Sequence, residues 1–417
     1  MITTATLARR ALSKLFRLNT TATLATMADS QGQDAGDEHS ARTVDNQNIT
    51  SDLGEHPQTI PDTPAGKAKL PAPQGRTQGD SNESESMGAA LKSGPSSPVS
   101  DAPPSPSALS SASSSSSTAD MPPPSTITPS GDLLQPLKAK GWSFTKSKWI
   151  SKYRCDKEVP TELRLLTWNI DFSAADCRSR TMRILLYLQK TALSRTPPPS
   201  CILLQEVDTW SLSTLIFHPW VRKHYVMTPP TTEPWKAHYG NVTLVSRSIP
   251  FKNPQILVFR NSTMGRTAVF VDIPIRSPTT GKIRTVRIAN THLESLPEGT
   301  KMRPTQLAAI AAMLRADGID GGVVGGDMNM IGDTADQNIH IAAGLDDACL
   351  FPHDPANHTW GYQPPTRFPP RRLDRVFFTG EKVVVNSPEV IGKGLRTAEG
   401  MWASDHCGLS TTVFFTD

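Results

Sequence analysis

The chain has 417 residues, a formal net charge of +4, and 37% hydrophobic and 6% aromatic residues. That length admits one large domain or two ordinary ones, and the mild basicity suits a polyanionic partner without requiring one. Five widely spaced cysteines with no CxxC pair exclude a disulfide framework and a structural zinc site, and they fit a reducing compartment. No apolar stretch approaches the roughly 18–20 residues that cross a bilayer, so a soluble protein with no membrane partner is expected.

Residues 1–28 contain no acid and carry Arg9, Arg10, Lys14 and Arg17 among Thr, Ala and Leu. This composition reads as a mitochondrial presequence, so the mitochondrion is a compartment to expect beside the nucleus. Residues 29–132 are rich in Ser, Pro, Gly, Asp and Thr, including the run Ser110–Ser117. With few branched or aromatic side chains to offset ordering entropy, this tract is expected to be disordered. Regular patterning begins at Leu133, giving one domain over 133–417.

Apolar, β-branched runs predict strands at Glu162–Trp168, Cys201–Val207, Asn241–Ser246, Gln255–Arg260, Thr267–Ile275, Lys282–Leu293, Gly322–Gly326, Leu373–Phe378, Lys382–Val385 and Leu409–Phe415. Helical spacing appears at Arg178–Lys190 and Pro304–Ala316, the latter with Pro304 in its first turn. Many strands with a few long helices predict two packed sheets flanked by helices.

Five polar clusters stand at or near the ends of these runs: Thr167-Trp168-Asn169-Ile170-Asp171, Gln205-Glu206-Val207, Thr291-His292-Leu293-Glu294-Ser295, Gly326-Asp327-Met328-Asn329 and Ser404-Asp405-His406. Strand ends meet along one rim of a sheet, so these groups are expected in one cleft. Asn169 and Asp171, at i and i+2, can look the same way, and Asp327 and Asn329 repeat the spacing. Glu206 ends a strongly apolar strand, where an unpaired carboxylate is costly. Few carboxylates, with water and substrate oxygens, are the usual surroundings of Mg²⁺ in phosphate chemistry. Asp327 is placed to orient and deprotonate water, and His406 to donate to a phosphate oxygen with Asp374 orienting it. A turn residue, a surface ion pair, a core histidine and a helix cap would explain Asn169, Glu206, His292 and Asp327 singly, but not together.

The order Trp-Asn-x-Asp, Gln-Glu, a His-bearing strand, Gly-Asp-x-Asn, Leu-Asp-Arg, Ser-Asp-His resembles the endonuclease/exonuclease/phosphatase superfamily over about residues 160–417. Thr167–Asp171, Thr291–Ser295 and Arg372-Leu373-Asp374-Arg375-Val376-Phe377-Phe378 most resemble its type 2 tyrosyl-DNA phosphodiesterases. The resemblance implies an α+β, four-layer αββα sandwich of two mixed sheets. It implies dependence on Mg²⁺, with Mn²⁺ as a substitute, and a monomer acting on DNA ends that carry a 5′-tyrosyl adduct. The same chemistry on RNA ends, abasic DNA or inositol and lipid phosphates is the alternative. Carried over by position, the metal ligands are Glu206, Asp171 and Asp405, and the catalytic residues are Asn169, Asp327, Asn329, His292, His406 and Asp374. Ser295, Tyr239, Trp360 and Arg266 are assigned to the substrate. Ile331 stands where vertebrate relatives have a DNA-gripping arginine, for which Arg266 or Arg367 is the candidate replacement.

Overall fold

The computed structural model describes residues 124–152, 157–331 and 336–417. The leader, nearly all of the Ser/Pro tract and Cys155 lie outside the described residues. Two short hairpins come first, β1 (Thr126–Ile127) with β2 (Leu133–Pro136) and β3 (Lys140–Ser143) with β4 (Lys148–Ile150). β1 thus falls ahead of the expected boundary at Leu133.

A first βαβ unit follows: β5 (Glu162–Asn169), α1 (Cys177–Tyr187) and β6 (Ser200–Asp208), with the two strands parallel. The chain continues through α2 (Thr209–Phe217), α3 (Pro219–His224), β7 (Tyr225–Thr228), β8 (Tyr239–Ser246), β9 (Lys252–Val258) and β10 (Thr267–Arg276). A second βαβ unit comprises β11 (Ile283–His292), α4 (Arg303–Leu314) and β12 (Gly321–Asp327), again with a parallel pair. The remainder is α5 (Ile339–Ala342), β13 (Asp346–Asp347), β14 (Asp374–Thr379), β15 (Val383–Val385), β16 (Glu389–Ile391) and β17 (Gly408–Phe415).

The strands form two mixed sheets. One has the order β1-β2-β9-β10-β11-β12-β14-β13 and the other β15-β17-β5-β6-β8-β7-β3-β4, with β16 on β17. Leu163, Leu165, Cys201 and Leu203 of the second sheet face Val271, Ile288, Val323 and Val376 of the first, which makes the core between them. Leu166, Trp168, Ile202 and Leu204 point away from it, toward α1, α2 and α3. Phe270, Val324 and Phe377 point away on the other side, toward α4. Alternation along each strand therefore builds the expected four layers. Among the described residues no helix is long and apolar enough to cross a membrane.

Candidate active site

The same alternation delivers the polar clusters to one place. Asn169 continues the inward side of Leu163 and Leu165; His292 continues Val286 and Ile288; Asp327 continues Val323; Asp374 shares the side of Val376. In register Asn169 stands beside Gln205, His292 beside Asp327, and Asp327 beside Asp374. The cleft thus lies at the carboxyl ends of the two parallel pairs, where α/β sheets leave an open crevice.

Between the apolar core and the cleft runs a polar layer that ties the sheets together. The Gln205 amide donates to Thr167 Oγ1 at 3.0 Å and to Asn290 Oδ1 at 2.8 Å, across the inter-sheet gap. Asn290 in turn donates to the Val242 carbonyl at 3.0 Å.

Glu206 is the exception to alternation. By parity it belongs with Leu204, on the helix side, but the β6–β8 register shifts between Leu204 and Val207, and Glu206 adopts φ 57°. A bulge with one left-handed residue re-aims its side chain. Asp171 (φ 57°) and Asn329 (φ 48°) share this conformation. Each costs about 1–3 kcal/mol in a non-glycine residue, and all three sit at the cleft. Gly326 permits the close β11–β12 approach: a Cβ there would lie 1.8 Å from the Thr291 carbonyl oxygen.

Asp327 is held on both oxygens. Asn169 Nδ2 donates to Oδ2 at 3.1 Å and the Asn329 backbone N–H to Oδ1 at 3.0 Å. His292 Nε2 and His406 Nε2 stand 3.3 and 3.7 Å from that same Oδ2. Burial, reinforced by the Asp374 charge, pushes the Asp327 carboxyl up, against the pull of His406.

His406 has its Nδ1 2.7 Å from Asp374 Oδ2. Burial opposes its charged form, but the Asp374, Asp405 and Asp327 carboxylates prevail and hold the ring well above its ordinary value. Its loop is fixed by Ser404, whose hydroxyl donates to the Asn169 carbonyl at 2.6 Å and accepts the His406 N–H at 3.0 Å. His292 goes the other way. Burial, Arg266 and His406 drive it well below the imidazole range, so the ring is neutral. Arg266 Nη1 lies 3.0 Å from Nδ1; a guanidinium only donates, so Nδ1 accepts and the ring proton is on Nε2.

Arg266 also donates to Tyr239 Oη at 2.9 Å and Ser295 Oγ at 2.5 Å. It is buried, and among the described residues no carboxylate forms an ion pair with it. Tyr239 stacks on Phe172 with centroids 3.9 Å apart and planes 13° apart, forming an aromatic wall. Trp360 is half-buried and donates to Asp405 Oδ2 at 3.1 Å. All thirteen expected residues make a hydrogen bond or short charge contact to another of the set, Asp171 only through its backbone N–H to Asn169 Oδ1 at 3.0 Å.

The roles divide differently in places. Asp171, expected among the metal ligands, is taken up elsewhere: Oδ2 receives Arg180 Nη2 at 2.7 Å, and Oδ1 receives the N–H and hydroxyl of Ser173 and the Ala174 N–H. Its work is to fold the loop after β5. Arg367 stacks 5.0 Å over the exposed Phe368, whose ring centroid lies 6.5 Å from that of Trp360. Sequence reasoning overlooked Phe172 and the two buried arginines that brace the cleft loops. Arg180 donates to the Ile170 and Asp171 carbonyls, and Arg303 to the Glu294 and Leu296 carbonyls. Glu294 gathers Ser262, Thr263 and Met264, and so anchors the segment leading to Arg266.

Two groups of donors must be weighed as a cation site. Ligand atoms of Asp327, Asp374 and His406 lie within 4.8 Å of one another. That trio is fully buried, and its His–Asp contact is already satisfied, which suits a proton relay better than a cage. Glu206 and Asp405 fit a hard divalent ion better. Burial pushes Glu206 up to about 7, with Asp405 adding to the rise, and burial raises Asp405 as well. Two strained or half-exposed carboxylates that disfavour their own charge await a countercharge.

The sequence profile of the Endonuclease/Exonuclease/phosphatase family matches residues 166–406. The chain belongs to that family, whose members are hydrolases of the phosphodiesterase and nuclease kind and use divalent metal ions. Among solved structures, D. rerio TDP2 complexed with single-strand DNA product is 19% identical, covering 61% of this chain and 99% of that one (TM-score 0.49). Truncated Caenorhabditis elegans TDP2 is 22% identical over 61% and 97% (0.47), and the human Nocturnin catalytic domain with bound sulfate is 19% identical over 62% and 96% (0.43). No curated protein matches.

Proposed function

We propose that this chain is a Mg²⁺-dependent phosphodiesterase that hydrolyses 5′-phosphotyrosyl DNA, leaving a 5′-phosphate. The observation that carries the reading is Arg266: a buried cation without a carboxylate partner among the described residues, beside a stacked Tyr239–Phe172 pair and two imidazole N–H groups. Such a pocket calls for an anion next to a ring or base, as a phosphotyrosyl end supplies.

Glu206 and Asp405 would hold the divalent ion, with the Asn169 side chain supporting Glu206. When bound, the ion supplies a Lewis acid that polarises a phosphoryl oxygen. Asp327, fixed by Asn169 and Asn329, accepts a proton from the attacking water. The new bond joins that water oxygen to phosphorus, and the bond from phosphorus to the tyrosyl oxygen breaks without a covalent enzyme intermediate. His292 Nε2–H and the charged His406, which now rest against Asp327 Oδ2, turn to the phosphoryl oxygens as charge accumulates. Arg266 and Ser295 hold the phosphate, and Tyr239, Phe172 and Trp360 flank the tyrosyl or nucleotide rings.

The test is turnover of a 5′-tyrosyl oligonucleotide beside an abasic duplex and an inositol polyphosphate. The tyrosyl substrate is expected to be hydrolysed fastest. Turnover of only the other two would transfer the proposal to a different phosphate ester.

A further inference from the structure

A second cavity, of about 310 Å³, lies on the outer face of the β12–β14 sheet. Its walls include Arg372 from just before β14, Arg375 from its second position, His340 from α5, and His358 from the loop before Trp360. It is distinct from the cleft described above. Arg375 neighbours Asp374 on one strand, so the two point to opposite faces, Asp374 inward to His406 and Arg375 outward.

Among the described residues its lining carries three arginines and three histidines against one aspartate. Arg372 is nine-tenths buried; its two terminal nitrogens meet the Asp347 carboxylate, at 2.5 and 3.1 Å, but its Nε has no partner among the described residues. The ring Nδ1 atoms of His340 and His358 are likewise buried and make no hydrogen bond among the described residues. Arg375 makes one hydrogen bond, from Nε to the Arg372 carbonyl at 3.2 Å, and among the described residues no carboxylate pairs with it. Burial and the neighbouring Arg372 bring its guanidinium down to about 10, as expected for a cation held without its own counterion. Asp347, the acid in the wall, is already engaged with Arg372.

We propose that this cavity is a phosphate-binding site. Its donors come from a strand, a helix and a loop, and so from several directions. That spread of directions suits a tetrahedral oxyanion better than a planar carboxylate, and a guanidinium fork can hold two phosphate oxygens at once. The site is linked to the catalytic loop, because Met330 lines the cavity one residue beyond Asn329. Arg371 Nη1 also donates to the Ile331 carbonyl at 2.5 Å. The phosphate can belong to a small molecule or to a nucleic acid strand passing from the cleft, and the inference stands whether or not the tyrosyl-DNA reading does.

The experiment is diethylpyrocarbonate footprinting of the full chain, read by mass spectrometry at His340 and His358. It is run at constant ionic strength with inorganic phosphate in one arm and a 5′-phosphorylated oligonucleotide in the other. At ten times Kd, a bound anion should slow both modifications about tenfold, the ratio set by 1 + [L]/Kd. Arg375→Met should abolish the protection while Arg266→Ala, in the other cleft, leaves it intact. Should Arg375→Met fail to fold by circular dichroism, Arg375→Lys keeps the charge, loses the fork, and should weaken protection. Protection by phosphate alone assigns a small-molecule ligand, and protection by the oligonucleotide assigns a strand. No protection in either arm, or protection unaltered in a folded Arg375 variant, would overturn the proposal.

Discussion

Asp374→Asn probes the centre with the least change of shape. Asp374 is fully buried, and its Oδ2 lies 2.7 Å from His406 Nδ1. At an effective dielectric constant of about 20, unit charges ~4 Å apart attract by about 4 kcal/mol. Asp327 and Asp405 still face the ring in the variant, so a stability loss of about 3 kcal/mol is expected, the lower end for breaking a buried pair. The sign against pH follows from the direction of the shift. His406 is raised above 6.5 in the fold, so its contribution is complete below 6.5 and fades as pH rises through the folded value. The stability gap between wild type and variant should therefore be widest in mild acid and narrow toward alkaline pH in urea titrations. With its ring no longer held charged and oriented, the variant should lose on the order of 10²–10³ in kcat, the usual effect of removing one oxyanion donor. If kcat stays within a few-fold while the urea data show the destabilisation, His406 does not serve the transition state.

Three more outcomes can be measured directly. Asp327→Asn should bind DNA with wild-type affinity in an anisotropy titration yet lose on the order of 10² or more in single-turnover rate, the scale of a general base. Glu206, pushed up to about 7, is mostly protonated at pH 6 and must ionise to take a cation. Calorimetry of Mg²⁺ binding in buffers of differing ionisation heat should then show nearly one more proton released at pH 6 than at pH 8 in wild type than in Glu206→Gln; equal release in the two proteins would remove Glu206 from the ion. Gly326→Ala must push strands apart to clear a Cβ that would lie 1.8 Å from the Thr291 oxygen. It should lower Tm by about 8 °C or more, corresponding to about 3 kcal/mol, and an unchanged Tm would mean the strands yield at no cost.

Much of this architecture is legible from alternation. The inward run Val286, Ile288, Asn290, His292 is readable before any coordinates, because period two fixes which side chains share a face. The α4 start at Arg303–Pro304 follows from the demands of a first helical turn. Parity fails where the chain stops being a strand. The i, i+2 spacing makes Asn169 and Asp171 look the same way only in extended chain, but β5 ends at Asn169 and Asp171 is left-handed, so its carboxylate swings to Arg180. Glu206 reaches the cleft only because β8 pairs with β6 out of step there, a property of two strands that neither states alone. Arg180 and Arg303 look like solvent-facing helix residues in sequence; a helix reveals which of its charges are buried only once the loops it covers are known.

Those two arginines also explain why the strained loops persist. Each βαβ unit sends its helix back over the carboxyl end of its own first strand, and each helix carries one buried arginine there. Arg180 closes on the carbonyls after β5 and on the Asp171 carboxylate, 2.7 Å away. Arg303 closes on the carbonyls after β11 and on Asp336, 2.6 Å away. A guanidinium offers five donors in a fixed plane, so one side chain satisfies several carbonyls that a turn would otherwise leave unpaired. The left-handed residues Asp171 and Leu296 lie within these clasps. The unit carrying Asn169 and Glu206 and the unit carrying His292 and Asp327 are thus stiffened by the same device. The distances between acid, amide and imidazole are then set by the sheets and clasps, and an incoming phosphate meets groups already in place.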